Sequence, residues 1–445
     1  MPETRDVVVI GGGPAGATAA ALLARSGLDV VLLERDVAPR FKIGESLVPA
    51  VRPTLERLGL IERLQASAFP KKYSVQFFAP DGRGTPPFYF SETKGASAIE
   101  GDEGQTWQVC RAEFDAMLLD VARREGAEVI RGAVVRDLLL EDSVDDVAAR
   151  PLNPRPLNPQ ACGVQVTLPG AGERRIRCRV VIDASGQRAV LSRRLGLRVP
   201  DPALRHVSLF THFRGGLRDE GIDEGATLIL LTRGRRSWFW YIPLSDDTVS
   251  VGVVGPIAHL IEGRGGDPQQ VFDEERGRCG GLAPRLEHAE QIRAVGVASD
   301  VSAVSRQAAG DGWVLCGDAL AFLDPVFSTG VLLALRSGEM VADCVVEALA
   351  ANDPSAARLG AFAPRYLAGL ETLRRLVHAF YAPTFRFGYF LHRFPHHRRD
   401  LVRMVVGDVI DRDFSALFAD LQTMVDLPPS PLRVPSPTTG LVVAS

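Results

Sequence analysis

The sequence has no apolar run of roughly 18 residues, the length a membrane-spanning helix requires, so no integral membrane segment is expected. It also has no excess of either charge. Its 51 Lys and Arg face 54 Asp and Glu for a net charge of −3, which leaves no basic footprint for nucleic acid. Cysteine is sparse: Cys110, Cys162, Cys178, Cys279, Cys316 and Cys344 show no paired spacing. That pattern excludes a disulfide framework and a cysteine metal site, and predicts reduced thiols in a cytoplasmic protein. The charged N-terminus runs into a strand without the apolar stretch of a secretory signal. With 46% hydrophobic and 24% charged residues over 445 positions, the chain reads as globular, with two or three domains.

What is present begins at Val7-Val8-Val9-Ile10, which leads into Gly11-Gly12-Gly13-Pro14-Ala15-Gly16. An Ala-rich helical segment follows, and then the strand Val30–Leu33 ends on Glu34. This is a βαβ unit with Gly-x-Gly-x-x-Gly at the first turn and an acid about 20 residues on. Gly11 permits the tight turn, Gly13 lets backbone approach a pyrophosphate, and Gly16 lets helix pack on strand. The helix N-terminus offers amides and the positive dipole end to phosphate. The unit predicts a bound dinucleotide.

Leu47–Leu64 reads as a helix, with Gly44-Glu45-Ser46 just before it. Residues 71–79 alternate as one strand, with Tyr73, Val75 and Phe77 on one face and Lys72, Ser74 and Gln76 on the more polar one. An aromatic return strand follows at Pro87–Phe90, then a surface loop over residues 92–105 and an amphipathic helix from Ala112 to Glu125. Residues 129–140 read as one further strand. A five-residue tandem repeat at 150–154 and 155–159 predicts an inserted loop at a hairpin tip. Strand Arg174–Ile182 ends in Asp183-Ala184-Ser185-Gly186, where doubly wound sheets place ligand contacts. Residues 207–254 form several strands, among them Trp238-Phe239-Trp240-Tyr241-Ile242-Pro243, whose two tryptophans face one way. Gly317-Asp318 ends another strand, and Ser328-Thr329-Gly330 opens a long Ala-rich helix, a natural anion position. The last hundred residues are helical and Arg-rich. His392, His396 and His397 read there as part of a solvated basic face, with no metal site expected. Residues 427–440, rich in Pro and Ser, read as disordered.

The glycine unit with Glu34, the Asp183–Gly186 turn and Gly317-Asp318 together resemble the flavoprotein monooxygenase superfamily. Within it, the Trp-x-Trp-x-Ile-Pro run at 238–243 and Asp324-Pro325-Val326-Phe327-Ser328-Thr329-Gly330 resemble the flavin-dependent halogenases. Lys72-Tyr73-Ser74-Val75-Gln76-Phe77 fits that family's Lys-x-small-x-x-Phe pattern, whereas Lys71 does not fit the spacing.

The resemblance implies an α/β fold: a glutathione-reductase-like, Rossmann-type FAD domain (1–70, 108–195 and 300–345) with a β-sheet-rich substrate domain (71–107 and 196–299). A helical C-terminal region (346–426) and a Pro/Ser-rich tail (427–445) complete the chain. FAD contacts are expected at Gly11, Gly13, Pro14, Ala15, Gly16, Glu34, Arg35, Gly44, Glu45, Ser46, Arg111, Val135, Asp183, Gly186, Gly317 and Asp318. Thr329 and Gly330 would hold chloride or bromide. FADH2 from a separate NAD(P)H–flavin reductase would react with O2 to a C4a-hydroperoxide, and halide attack on it would give hypohalous acid. Lys72 would receive this oxidant, and Trp238 and Trp240 would screen the substrate from the flavin.

Two departures bear on the substrate. Phe327 stands where tryptophan halogenases carry a glutamate, and Ser74 where glycine or alanine is common. Phe327 shifts the expected substrate toward an electron-rich phenol or pyrrole, free or carrier-bound. Other roles stay open at this level. One is a monooxygenase or reductase acting at the flavin; another is a flavoprotein that modifies a residue of a partner protein. The last is a redox-silent FAD-binding module.

Overall fold

The computed structural model describes residues 3–38, 41–93, 104–140 and 160–430. Its first sheet is eight-stranded and built around Glu3–Ile10. That strand pairs in parallel with Val30–Glu34 on one side and Gly172–Asp183 on the other. Glu128–Arg131 and Trp313–Leu315 extend the parallel run outward. A strand with parallel neighbours and helices packed against its sheet has no solvent face, which is why Val7–Ile10 is uninterrupted by polar residues. Val134–Leu140 and Ala161–Leu168 form an antiparallel hairpin at the end of this sheet. The tandem repeat falls between those two strands, outside the described residues.

The second sheet has nine strands and carries the long strands Arg198–Arg214, Thr248–Pro256 and Gly296–Ser305. Trp238–Pro243 lies between Thr248–Pro256 and Thr227–Leu231, antiparallel to both. Its alternation divides the core: Trp238 and Trp240 join the cluster shared with the first sheet, and Phe239 and Tyr241 join a separate one under the second. Helices Gly330–Ala350 and Ala363–Tyr381 dominate the C-terminal third. Among the described residues no helix is long and apolar enough to cross a membrane, and none of the six cysteines is in a disulfide.

Several elements differ from expectation. Leu47–Leu64 is not one helix. It divides into a 3-10 turn at Pro49–Val51 and helices Arg52–Arg57 and Ile61–Gln65, because Gly59 takes a left-handed φ of 68° between the helices. Residues 129–140 divide at Gly132, also left-handed. The strand expected over 71–79 breaks at Tyr73. Lys71–Lys72 pairs with Thr106–Trp107 in a sheet of its own, and only Ser74–Phe78 joins the second sheet. The short aromatic strand Phe88–Tyr89 returns along Ser74–Val75 as expected. Most of the loop expected over 92–105 lies outside the described residues. Of the C-terminal tail, only 427–430 is described, and there the Pro428 and Pro429 carbonyls accept from Arg374.

Helix Gly330–Ala350 crosses helix Pro14–Arg25 at backbone distance. A Cβ added at Gly338 would lie 2.3 Å from the Ala15 carbonyl oxygen. Helix propensity favours alanine over glycine by about 1 kcal/mol, but a backbone carbonyl cannot yield as a side chain can, and overpacking costs about 1–3 kcal/mol. Gly338→Ala is therefore expected to lower unfolding stability by about 1–2 kcal/mol in denaturant titration; an unchanged or raised midpoint would refute the close crossing.

Candidate functional site

A cavity of about 570 Å³ runs between the two sheets. At one end, Gly11, Gly13, Pro14 and Ala15 line it where helix Pro14–Arg25 begins. The helix has no side-chain cap, so its first amides remain available to a ligand. A Cβ at Gly13 would meet nothing within 4 Å, whereas one at Gly11 would lie 2.5 Å from the Ala184 carbonyl oxygen. The first glycine makes the turn and the second faces open space, the cradle a pyrophosphate needs. Glu34 ends its strand beside them and accepts from the amides of Gly12 at 2.6 Å and Asp36 at 2.7 Å. Arg35, Val135 and Gly186 line the same end. These residues fit the adenosine half of FAD.

The cavity continues past Gly44, Glu45, Ser46, Arg111, Gly317 and Asp318. Asp115 holds the buried Arg111 guanidinium by two hydrogen bonds, at 2.9 and 3.0 Å, and the third nitrogen donates to the Ile43 carbonyl at 2.6 Å. Burial pushes the Asp318 carboxyl up to about 6, against the pull of Arg198 and Arg111. Glu45 is buried and lies 3.0 Å from His212 Nε2.

Two residues expected to touch the cofactor support it from behind. Asp183 does not line the cavity: its carboxylate accepts from the Ser185 amide at 2.9 Å and the Leu191 amide at 2.7 Å, fixing the turn. Gly16 is also off the wall, because a Cβ there would lie 1.9 Å from the Gly11 carbonyl oxygen; its place is between helix and strand.

Trp238 and Trp240 line the far end, with ring centroids 6.5 Å apart. Both indole N–H groups are committed, Trp238 to the Tyr381 hydroxyl at 2.8 Å and Trp240 to Ser250 at 3.1 Å. Trp240 lies over Gly252, its cross-strand partner, where a Cβ would sit 2.2 Å from the ring. The segment Asp324–Gly330 closes this end. Asp324 accepts from the Val326 amide at 3.1 Å, Pro325–Phe327 makes one 3-10 turn, and Ser328 adopts a left-handed φ of 56° before the helix starts at Gly330. Ser328 and Gly330 are on the wall; Thr329 is buried between them. Phe327 turns away and packs edge-on against Phe380 and Phe387.

Lys72 is one side chain behind the wall. Its ammonium donates to Ser46 Oγ at 2.8 Å and to the Leu47 carbonyl at 3.0 Å, with the Phe90 ring 5.3 Å away. Ser46 lines the cavity and Lys72 does not. The lysine is neither on a polar face nor at the surface: it is buried, while Lys71 is exposed. Among the described residues no carboxylate pairs with it, and burial lowers its pKa from 10.5 to about 7.

Sequence reasoning missed Phe41, Phe210 and Asp300 on the cavity wall and His206 and Tyr381 behind it. Burial pushes the Asp300 carboxyl up to about 7, with Asp324 adding to the effect and a hydrogen bond from Ser208 opposing it. Polar residues at inward positions of apolar strands were the available signal; their cross-strand partners carried none. The reading of His392, His396 and His397 as part of a solvated face is overturned for His397, which is buried. Asp420 approaches from another helix, its one oxygen 2.8 Å from His397 and 3.5 Å from His396. The 2.8 Å contact is an ordinary hydrogen bond.

The buried ammonium has a thermodynamic signature. Between pH 7 and 10.5 the unfolded chain holds a proton that folded Lys72 releases, so stability rises with pH across that window. Below pH 7 the burial cost is present in full. Each tenfold change in proton affinity is worth about 1.4 kcal/mol, so Lys72→Met is expected to stabilise the fold by a few kcal/mol at about pH 6, with little gain above about pH 10.5. Denaturant midpoints at the two pH values measure this, and an equal gain at both would contradict it.

The sequence pattern of the tryptophan halogenase family matches residues 6–99 and 91–393. A 1H-pyrrole-2-carbonyl-[peptidyl-carrier protein] chlorinase of Pseudomonas fluorescens is 29% identical over 419 residues, covering 91% of this chain and 89% of that one. The corresponding brominase of Pseudoalteromonas luteoviolacea is 30% identical over 416 residues, covering 92% and 93%. Among solved structures, the flavin-dependent brominase Bmp2 superposes with a TM-score of 0.81 at 28% identity, covering 94% of this chain and 98% of that one. The myxobacterial chondrochloren halogenase CndH superposes with a TM-score of 0.75 at 29% identity, covering 95% and 96%. A Rossmann-type FAD cradle, a paired-tryptophan wall and a match over most of the chain lead to one assignment: this protein is an FAD-dependent oxidoreductase of the tryptophan halogenase family, the flavin-dependent halogenases.

Proposed function

We propose that this enzyme halogenates an electron-rich aromatic ring, a pyrrole carried as a thioester on a carrier protein, with Lys72 as the residue that delivers the halogen. The observation that carries this reading is a buried lysine without a carboxylate partner among the described residues, one side chain behind a cavity that fits FAD. Two relatives similar over nine-tenths of this chain are named for pyrrolyl-carrier-protein substrates, which supports the substrate class. Phe327 supports it too, since a ring already rich in electrons needs no carboxylate there to sharpen the oxidant.

Bound reduced FAD, with O2 and halide, supplies hypohalous acid. The chain's own residues do the rest. The amides of Thr329 and Gly330, at the start of a 21-residue helix, hold the halide with the positive end of the dipole. Trp238 and Trp240, both pinned by hydrogen bonds, keep the substrate ring off the flavin. Lys72, with both forms populated near neutral pH, offers hypohalous acid either a neutral amine, which takes the halogen as the O–X bond breaks and water leaves to give a haloamine, or an ammonium to hydrogen-bond it. Electrons come from a separate NAD(P)H–flavin reductase, and the enzyme works in the cytoplasm, in keeping with cysteines that form no disulfide.

Incubation with FAD, a flavin reductase, NADH and chloride or bromide should convert a pyrrolyl-carrier thioester to a product with the halogen isotope pattern. Products heavier by one oxygen, or NADH oxidation without added reductase, would overturn the assignment. Halogenation of free phenols in preference to the thioester would overturn the substrate class alone. Lys72→Ala should lower halogenation at least about 100-fold, the scale of a lost proton-transfer or nucleophilic group, with FAD affinity unchanged. A parallel loss of FAD binding would remove Lys72 from the delivery role.

A further inference from the structure

Asp324 opens the segment that leads to Thr329 and Gly330. Its carboxylate is buried, with no lysine or arginine against it among the described residues. Its hydrogen-bond partners are an amide, an imidazole and a phenol, and the Asp300 carboxyl lies close enough to be raised by it. The Val326 amide donates to one oxygen at 3.1 Å, His206 Nδ1 lies 2.8 Å from the other, and the Tyr381 hydroxyl reaches both at 3.0 and 2.9 Å. The same hydroxyl is 2.8 Å from the Trp238 indole nitrogen. At the hydroxyl, the roles follow from its partners. An indole N–H can only donate, so Tyr381 accepts from Trp238 and gives its one proton to Asp324. Burial and the Asp324 carboxylate hold the phenol well above its usual pKa, so that proton stays in place.

Tyr381 is itself held. Its ring packs against His206 with centroids 4.2 Å apart and planes tilted by 32°. One turn earlier on the same helix, His378 Nε2 lies 2.9 Å from Asp201 and Arg374 donates to the same oxygen at 3.3 Å; Asp201 and His206 share one strand. The C-terminal helical region thus reaches both the tryptophan wall and the Asp324–Gly330 segment: Phe380 packs edge-on against Trp238 and Phe327, and the Tyr381 hydroxyl adds a polar contact to Trp238 and to Asp324.

We propose that Tyr381 is a positioning residue that locks the Trp238 indole and the Asp324–Gly330 segment into one rigid unit, so that halide retention and screening of the substrate are set together. The inference rests on the reading that Thr329 and Gly330 hold halide and that Trp238 screens. Loss of the hydroxyl would leave the Trp238 N–H without its acceptor and Asp324 with one donor fewer, loosening both elements, while the ring and its packing remain.

The test is Tyr381→Phe, read on the FAD-loaded protein by bromide-dependent thermal stabilisation at constant ionic strength, with sulfate as the control salt. The expected result is at least a fivefold rise in the bromide concentration giving half of the stabilisation, with the FAD dissociation constant within twofold of wild type. In turnover, the half-saturating bromide concentration and the NADH consumed per halogenated product should both rise several-fold. A bromide response identical to wild type would overturn the proposal, and so would an equal loss of FAD and bromide affinity, which marks general damage. Absence of any bromide response in the wild-type protein would overturn the halide reading and the Tyr381 proposal with it. A normal wild-type response with an unaltered variant would overturn the Tyr381 proposal alone.

Discussion

A helix crossing at backbone distance fixes the shape of the site. Ala15, in the first turn of helix Pro14–Arg25, is enclosed by two glycines: a Cβ at Gly317 would lie 2.9 Å from the Ala15 Cβ, and one at Gly338 would lie 2.3 Å from its carbonyl oxygen. Ser337 Oγ accepts from the Gly317 amide at 2.8 Å and ties the same crossing together. Because helix Gly330–Ala350 touches helix Pro14–Arg25 through backbone, the N-terminal ends of both lie on one cavity. One end faces the pyrophosphate cradle and the other the Ser328–Gly330 turn. Two positive dipole ends converging on one ligand volume suit a ligand with phosphates at one end and an anion beside its other end. A larger side chain at either glycine would part the helices and with them their two N-terminal ends.

How much of this the sequence carried depends on whether the signal is local. Gly11 to Gly16 and Glu34 are legible because strand, turn, helix and acid lie within one βαβ unit, where spacing alone sets geometry. The facing of Trp238 and Trp240 is legible for the same reason, since strand alternation needs no partner to be known. The break at Tyr73 was not legible. Residues 71–79 alternate well enough to be one strand, and only the arrival of Thr106–Trp107 from elsewhere in the chain draws Lys71–Lys72 into a separate sheet. That break is what buries Lys72. Asp183 shows a different limit: its place at a strand end beside the cavity was legible, but whether its carboxylate faces ligand or its own turn depends on the Ser185 and Leu191 amides. Asp324, His206 and Tyr381 come from three elements, and Asp420 reaches His397 from a fourth, so none of these contacts leaves a periodic trace.

Two of the buried ionisable groups behind the cavity, Lys72 and Asp324, differ from what stability alone would select. Lys72 has only neutral acceptors, and Asp324 has a tyrosine, an imidazole and an amide. Pairing a lysine with a carboxylate would offset part of the desolvation of both. It would also hold the lysine cationic across the whole neutral range, because a nearby carboxylate favours the charged form. Isolation does the opposite: with burial as the sole perturbation, the lysine falls to about 7 and both its forms are populated near neutrality. A group that must take up an electrophilic halogen needs a lone pair, and a group that must orient a neutral acid needs a proton. The fold supplies both by keeping every carboxylate among the described residues out of hydrogen-bonding reach of Lys72. The cost of burying that lysine away from any carboxylate among the described residues is therefore the physical condition for the reactivity proposed for it.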